Sequence, residues 1–150
     1  MLVSVIQGQQ EQTIYNGFIL NDTHRACEEV RVILVGIQNA VGLNTDQSFD
    51  VHIILNELLQ NAIRHGCNIR QNKVYMNVCI SGKDMLSITV KDNGKGFDVF
   101  KVLEESQKKQ VCHWSELSEN GRGLQIVKNL CDDMVFSQKG NCVTVRKKLC

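Results

Sequence analysis

Three short segments constrain this chain more than any other feature of its sequence. They read NELLQNAIRHG at residues 56–66, DNGKGF at residues 92–97 and GRGL at residues 121–124. The first holds a carboxylate and a carboxamide one helical turn apart, the second an acid and two glycines after a strand, and the third a glycine pair that opens a helix. Because amides at a helix start bind phosphate and carboxamide oxygens suit Mg²⁺, the three together predict a nucleotide-phosphate site.

Composition narrows the class of protein and its location. A chain of 150 residues is most simply a single domain spanning residues 1–150, and a net charge of +1 gives no support for a nucleic-acid partner. No apolar run could span a bilayer, and Met1–Gln10 lacks the features of a signal peptide, so we expect a cytoplasmic protein without a membrane partner. The seven cysteines form no C-x-x-C pair, and free thiols are expected.

The order of apolar patterns predicts an α+β fold class. Two strands are expected within residues 1–20, and a polar, poorly periodic segment covers about residues 98–120. The remaining predicted elements are a helix that follows N-cap candidates at Asn21–Thr23 and ends near Gly42, a helix from Val51 to about Arg64 capped by Ser48 or Asp50, a hairpin of Tyr75–Ile80 and Met85–Val90, a helix Leu124–Cys131, and a hairpin of Met134–Ser137 and Cys142–Lys147. We expect a two-layer sandwich, with a mixed, mostly antiparallel sheet covered by three helices on one face.

The second predicted helix carries the strongest chemical signal. Glu57 and Asn61 lie four residues apart, on the flank of an apolar face. One interpretation makes both of them solvated surface residues. The other gives Asn61 an oxygen for Mg²⁺ and lets Glu57 take a proton from an attacking hydroxyl or water.

The two glycine segments are individually ambiguous. Asp92 with Gly94 and Gly96 is compatible with an ordinary turn or with a backbone that approaches a ligand closely. Gly121 and Gly123 are compatible with a flexible helix entry or with phosphate-binding amides. The chain contains no P-loop motif and no dinucleotide-binding fingerprint.

Taken together, the three segments resemble the motifs of the GHKL ATPase superfamily, which has the Bergerat ATP-binding fold. Residues 56–66 resemble its N box, residues 92–97 its first glycine box and residues 121–124 its second. The resemblance implies ATP and Mg²⁺ as ligands, Glu57 as general base, Asn61 as Mg²⁺ ligand and residues 98–120 as an ATP lid. It further implies that ATP is bound by Asn61, Asp92, Gly94, Gly96, Phe97, Gly121, Arg122, Gly123 and Leu124, with Asp92 on the adenine amino group.

Within that superfamily the chain looks most like the anti-sigma-factor serine/threonine kinases. Histidine kinases usually lack the N-box glutamate, which is present here as Glu57, and the large ATPases need a further domain. The resemblance implies phosphorylation of a small anti-anti-sigma protein of the STAS type, with a sigma factor as second partner, and leaves a homodimer open. Two alternatives remain: a non-catalytic ATP-sensing module, or the ATPase domain of a larger two-component signalling protein.

One segment departs from the family pattern. Family members often have Gly-Thr-Thr in the closing hairpin, where a hydroxyl helps to hold adenine through water. Here the segment reads Gly140-Asn141-Cys142. We therefore expect adenine either to be bound more weakly or to be solvated differently at this position.

Overall fold

Six strands and three helices make up the described part of the chain. The computed structural model describes residues 3–6, 9–20, 22–65, 73–92, 119–137 and 141–149. The strands are β1 (Val3–Ile6), β2 (Gln9–Leu20), β3 (Lys73–Ser81), β4 (Met85–Lys91), β5 (Asp133–Phe136) and β6 (Cys142–Lys148). The helices are α1 (Thr23–Val41), α2 (Thr45–His65) and α3 (Glu119–Leu130).

The strands form one sheet in the order β1-β2-β3-β4-β6-β5. Every pair of neighbouring strands among the described residues is antiparallel, including β4 and β6, which are distant in sequence. The predicted α+β sandwich with a mostly antiparallel sheet is therefore confirmed. The parallel component that a mixed sheet would contain is not present among the described strands.

One face of the sheet is buried and the other is not. Alternate residues of β4, namely Leu86, Ile88 and Val90, are buried, while their neighbours are only partly covered. Strand β3 follows the same alternation from Lys73 to Val78, as expected when side chains point to opposite faces in turn, and departs from it at Cys79, which is also buried. On the opposite face Phe18 remains 67% exposed. The helices pack on the buried face, α1 against β2 and α2 against β3 and β4.

Local capping sets the limits of α1. The Asp22 side chain accepts a hydrogen bond from the His24 amide at 2.9 Å, which satisfies one of the free amides of the first turn. At the other end, Gly42 has φ of 68° and its amide donates to Gln38 O. This left-handed conformation favours glycine, and it confirms the predicted end of the helix at Gly42.

Helix α2 begins earlier than the sequence reading predicted. The start at Val51, with Ser48 or Asp50 as cap, is wrong, because Asn44 and Gln47 form a reciprocal capping box. The Gln47 amide donates to Asn44 Oδ1 at 2.8 Å, and the Asn44 amide donates to Gln47 Oε1 at 3.0 Å. Such paired bonds satisfy free amides at a helix start. The polar residues before Val51 thus belong to the first turns of α2.

Helix α3 also begins earlier, at Glu119 rather than Leu124. Gly121 and Gly123 therefore lie inside the helix instead of in front of it. At the C-terminal end, Lys147 Nζ donates to Leu130 O at 2.6 Å, where a cation also complements the helix dipole. This bond ties α3 to β6, and α3 also packs against α2, where Gly123 lies beside Glu57.

Candidate active site

The apolar face of α2 places Glu57 and Asn61 at the boundary of the core. Neighbouring residues of the helix are fully buried: Val51, Leu55, Leu58, Leu59 and Ala62. Asn61 is itself buried, with 7% of its surface exposed, and Glu57 is half-buried. The interpretation of both residues as solvated surface groups is therefore wrong for Asn61.

The side chain of Asn61 carries a buried polar atom that is not hydrogen-bonded within the described part of the chain. Its Oδ1 is buried and has no hydrogen-bond partner among the described residues. Leaving a buried acceptor unsatisfied costs about 1–3 kcal/mol. A hard cation such as Mg²⁺ takes oxygen ligands, often one or two from the protein together with phosphates and water. Asn61 fits such a ligand, and binding would offset the cost of the unpaired oxygen.

Glu57 lies directly against the second glycine segment. A β-carbon added to Gly123 would lie 2.5 Å from Glu57 Oε2 and 3.6 Å from Glu57 Cδ. The carboxylate thus occupies the space that a side chain at position 123 would fill. Two of the three sequence segments, on α2 and α3, therefore meet at the glutamate, one turn of α2 from the unpaired Asn61 oxygen.

Asp92 lies immediately after β4 and is 5% exposed. Its amide donates to Asn141 O at 2.9 Å, and Asn141 Nδ2 donates to Asp92 O at 3.4 Å. Ser137 Oγ donates in turn to Asn141 Oδ1 at 3.1 Å. The residue after Gly140, where the family pattern has a hydroxyl, thus holds the main chain of Asp92 from both sides.

The remaining predicted site residues are only partly covered by the structure. Gly94, Gly96, Phe97 and residues 98–118 of the predicted lid lie outside the described residues. Gly121 is the third residue of α3, Arg122 is exposed, and Leu124 is buried against the core. The structure therefore brings Glu57 together with Gly123, beside Asn61, and fixes Asp92 at the end of a strand on which α2 packs.

Asn141 and Ser137 were missed as contributors to this site. Their roles arise from the pairing of β6 with β4, which brings Asn141 beside Asp92 although the two residues are far apart in sequence. The departure at position 141 was a visible signal, but its contact with Asp92 depends on strand order.

The cysteines and the acidic residues show no second reactive cluster in the described ranges. Cys27, Cys79, Cys131 and Cys142 are free thiols, and burial raises the pKa of both Cys79 and Cys131. No group of three or more His, Cys, Asp or Glu residues in the described part of the chain could hold a metal ion. No helix of that part is long and apolar enough to cross a membrane.

Known proteins resemble this chain over most of its length. Residues 20–147 match the family described as the histidine kinase-like ATPase domain. An anti-sigma F factor of Clostridium perfringens is 31% identical over 103 residues, covering 67% of this chain and 71% of that protein. An anti-sigma F factor of Geobacillus stearothermophilus is 26% identical over 123 residues, covering 80% of this chain and 82% of that protein.

A serine-protein kinase, RsbW of Bacillus velezensis, is 31% identical over 123 residues, covering 80% of this chain and 76% of that protein. The family match spans all three sequence segments, including the residues Glu57, Asn61, Asp92 and Gly123. On the strength of that match and of these relatives, the chain belongs to the family of histidine kinase-like ATPase domains.

Proposed function

We propose that this chain is an ATP-dependent protein serine/threonine kinase that acts as an anti-sigma factor in a partner-switching system. The observation that carries the proposal is the placement of the Glu57 carboxylate against Gly123, one helical turn from the buried, unpaired Asn61 oxygen. A proton acceptor and a cation ligand then flank the second glycine segment. The names of the relatives, anti-sigma F factor and serine-protein kinase RsbW, support the same function.

Glu57 would act as the general base for the attacking hydroxyl group of the protein substrate. As the hydroxyl oxygen of a serine or threonine bonds to the γ-phosphorus of ATP, its proton passes to the Glu57 carboxylate and ADP leaves. A positioned general base contributes about 10²–10⁴-fold to such a reaction. Glu57 is half-buried and thus remains partly accessible, as a residue that receives a proton from a second protein must be.

Asn61 would hold Mg²⁺ through Oδ1, the atom that lacks a partner among the described residues. When bound, Mg²⁺ supplies positive charge to the phosphate oxygens. The asparagine contributes an oxygen ligand without adding a negative charge of its own. The position of Asn61 on a well-packed helix limits how far that oxygen can move.

Asp92 would accept a hydrogen bond from the adenine amino group, with Gly94, Gly96 and Phe97 shaping the pocket by resemblance to the family. Asn141 supports this role because it holds the Asp92 main chain through two hydrogen bonds. The amide of Gly121, in the first turn of α3, would bind phosphate. Arg122, Gly123 and Leu124 belong to the same proposed ATP site.

The proposed protein substrate is a small anti-anti-sigma protein of the STAS type, and a sigma factor is the proposed partner in the alternative state. The test is transfer of labelled γ-phosphate from ATP to STAS-type proteins encoded next to this gene. Transfer by the wild type and its loss in Glu57→Gln support the proposal. ATP binding without transfer to any of these proteins would contradict it and favour an ATP-sensing module without catalysis.

A further inference from the structure

Gly123 occupies a position at which helix propensity argues against glycine. It lies inside α3, four residues after the first residue of the helix. Glycine is the least favourable residue in a helix interior apart from proline, because it loses more backbone freedom on folding than any other residue. The binding of phosphate by a main-chain amide does not by itself require glycine, since alanine has the same amide. The absence of a side chain therefore needs a separate physical reason.

The neighbour of Gly123 supplies that reason. The missing β-carbon would lie 2.5 Å from Glu57 Oε2, whereas real β-carbons essentially never come within 3.0 Å of another heavy atom. The atom in conflict is the end of a flexible side chain and belongs to the proposed general base.

Gly36 provides an internal comparison. It is the other described glycine within a helix that a β-carbon would bring into close contact, in this case 2.8 Å from Ile14 Cγ2. That contact joins α1 to an apolar side chain of β2 and does not involve Glu57. The two glycines thus allow close packing against different neighbours, one apolar and one reactive.

We infer that Gly123 is a positioning residue for Glu57: its lack of a side chain leaves the space in which the carboxylate is held for proton transfer. This inference rests on the proposed function, and it adds a role that is separate from phosphate binding. A side chain at position 123 displaces the carboxylate by rotating the glutamate, because the conflict involves only its outer atoms. The amide at position 123 and the packing of α3 are retained.

The test is the Gly123→Ala variant. Its affinity for ATP, its kcat for phosphate transfer to a STAS-type protein and its thermal unfolding are measured. Displacement of a catalytic group by about 1 Å can cost about 10²-fold in rate, so we expect kcat to fall by about 10- to 100-fold. ATP affinity stays at the wild-type value, because the main-chain amide is preserved. The melting temperature is equal to or above that of the wild type, because alanine favours the helix.

Two further variants separate positioning from a general structural effect. Gly36→Ala introduces a comparable conflict against Ile14 and changes thermal unfolding without changing kcat. In the Glu57→Gln background, Gly123→Ala produces no additional loss of kcat, because it acts through a carboxylate that is already absent.

Several results would overturn the inference. The first is an unchanged kcat in Gly123→Ala, and the second is a fall in ATP affinity that accounts for the lost activity. The third is a fall in kcat in the Glu57→Gln background as large as that in the wild-type background, and the fourth is a variant that does not fold. An unfolded Gly123→Ala would mean that the carboxylate does not yield to the added carbon. Failure of the proposed function looks different, because the wild type would then bind ATP without transferring phosphate to any STAS-type protein. Transfer by Glu57→Gln as fast as the wild type would instead rule out Glu57 as the base.

Discussion

The two ends of the candidate site are built on different principles. At the helical end, the Glu57 carboxylate lies against Gly123, which has no side chain, and the Asn61 oxygen has no partner among the described residues. At the strand end, the main chain of Asp92 is bonded on both sides by Asn141. One end keeps polar atoms available for chemistry, while the other fixes the backbone around a single acid.

This difference indicates that reaction and binding can be separated by mutation. Side-chain atoms held by packing can be altered without changing the fold, because the helices α2 and α3 keep their apolar contacts. At the strand end, which is held by backbone hydrogen bonds, a mutation acts by changing the position of Asp92. We therefore expect changes at the helical end to affect turnover or metal dependence, and changes at the strand end to affect ATP affinity.

The largest expected effect follows from Glu57→Gln. The substitution preserves the shape of the side chain but removes the proton acceptor, so phosphate transfer falls by about 10²–10⁴-fold. ATP affinity remains at the wild-type value. Single-turnover transfer and equilibrium ATP binding measure the two quantities. Asp46→Asn removes a charge from the exposed first turn of the same helix and should leave transfer unchanged.

Asp92→Asn is expected to have the next largest effect, which is on ATP affinity and not on phosphate transfer. A hydrogen bond to a charged group contributes about 1.5–3 kcal/mol, so the Kd for ATP rises by about 10- to 100-fold. Turnover at saturating ATP changes little, since Asp92 lies at the strand end of the site. Calorimetric titration with ATP measures the change. A large loss of turnover with unchanged ATP affinity would reverse the assignment of the two ends.

Asn61→Leu tests the unpaired oxygen at the helical end. Leucine has the same branching but no polar atom, so removal of a buried unsatisfied acceptor should stabilise the ligand-free protein, by about 1–3 kcal/mol. In the same variant, the stabilisation given by Mg·ATP, about 2.7 kcal/mol for a ligand at a hundred times its Kd, should fall to that given by ATP without Mg²⁺. Thermal unfolding with and without Mg·ATP measures both effects. A destabilised ligand-free variant would show that Asn61 has a structural role.

A smaller effect is expected from Asn141→Ala. The variant loses the 3.4 Å bond from Asn141 Nδ2 to Asp92 O but keeps the main-chain bond between the same residues. A hydrogen bond of this kind contributes about 0.5–1.5 kcal/mol, so the Kd for ATP rises by about 2- to 10-fold. Ser137→Ala, which removes only the bond to Asn141 Oδ1, should have a weaker effect still. An unchanged Kd in Asn141→Ala would mean that Asp92 needs no support from β6.

The sequence predicted the fold better than the limits of its helices. Strand alternation predicted the β3–β4 hairpin closely, because side-chain burial on one face leaves a period of two. The start of α2 was missed because the capping box of Asn44 and Gln47 lies before the apolar periodicity begins. The start of α3 was missed because glycine signals a break in propensity, while packing against α2 keeps Gly123 helical.

For the candidate site, too, one part could be predicted from the sequence and another part could not. The spacing of Glu57 and Asn61 indicated their common side of a helix, since residues four apart are neighbours on its surface. That Glu57 rests on Gly123, or that Asn141 holds Asp92, depends on contacts between elements distant in sequence. Such contacts follow from helix packing and strand order, and no local pattern encodes them.

The most direct test of the two-ended site is a paired measurement of phosphate transfer and ATP affinity in Glu57→Gln and Asp92→Asn. We predict opposite profiles: Glu57→Gln binds ATP as the wild type does but does not transfer phosphate at a useful rate, and Asp92→Asn binds ATP weakly but transfers phosphate at saturating ATP. If both variants lost the two properties together, or if Glu57→Gln transferred phosphate at the wild-type rate, the central claim would be contradicted.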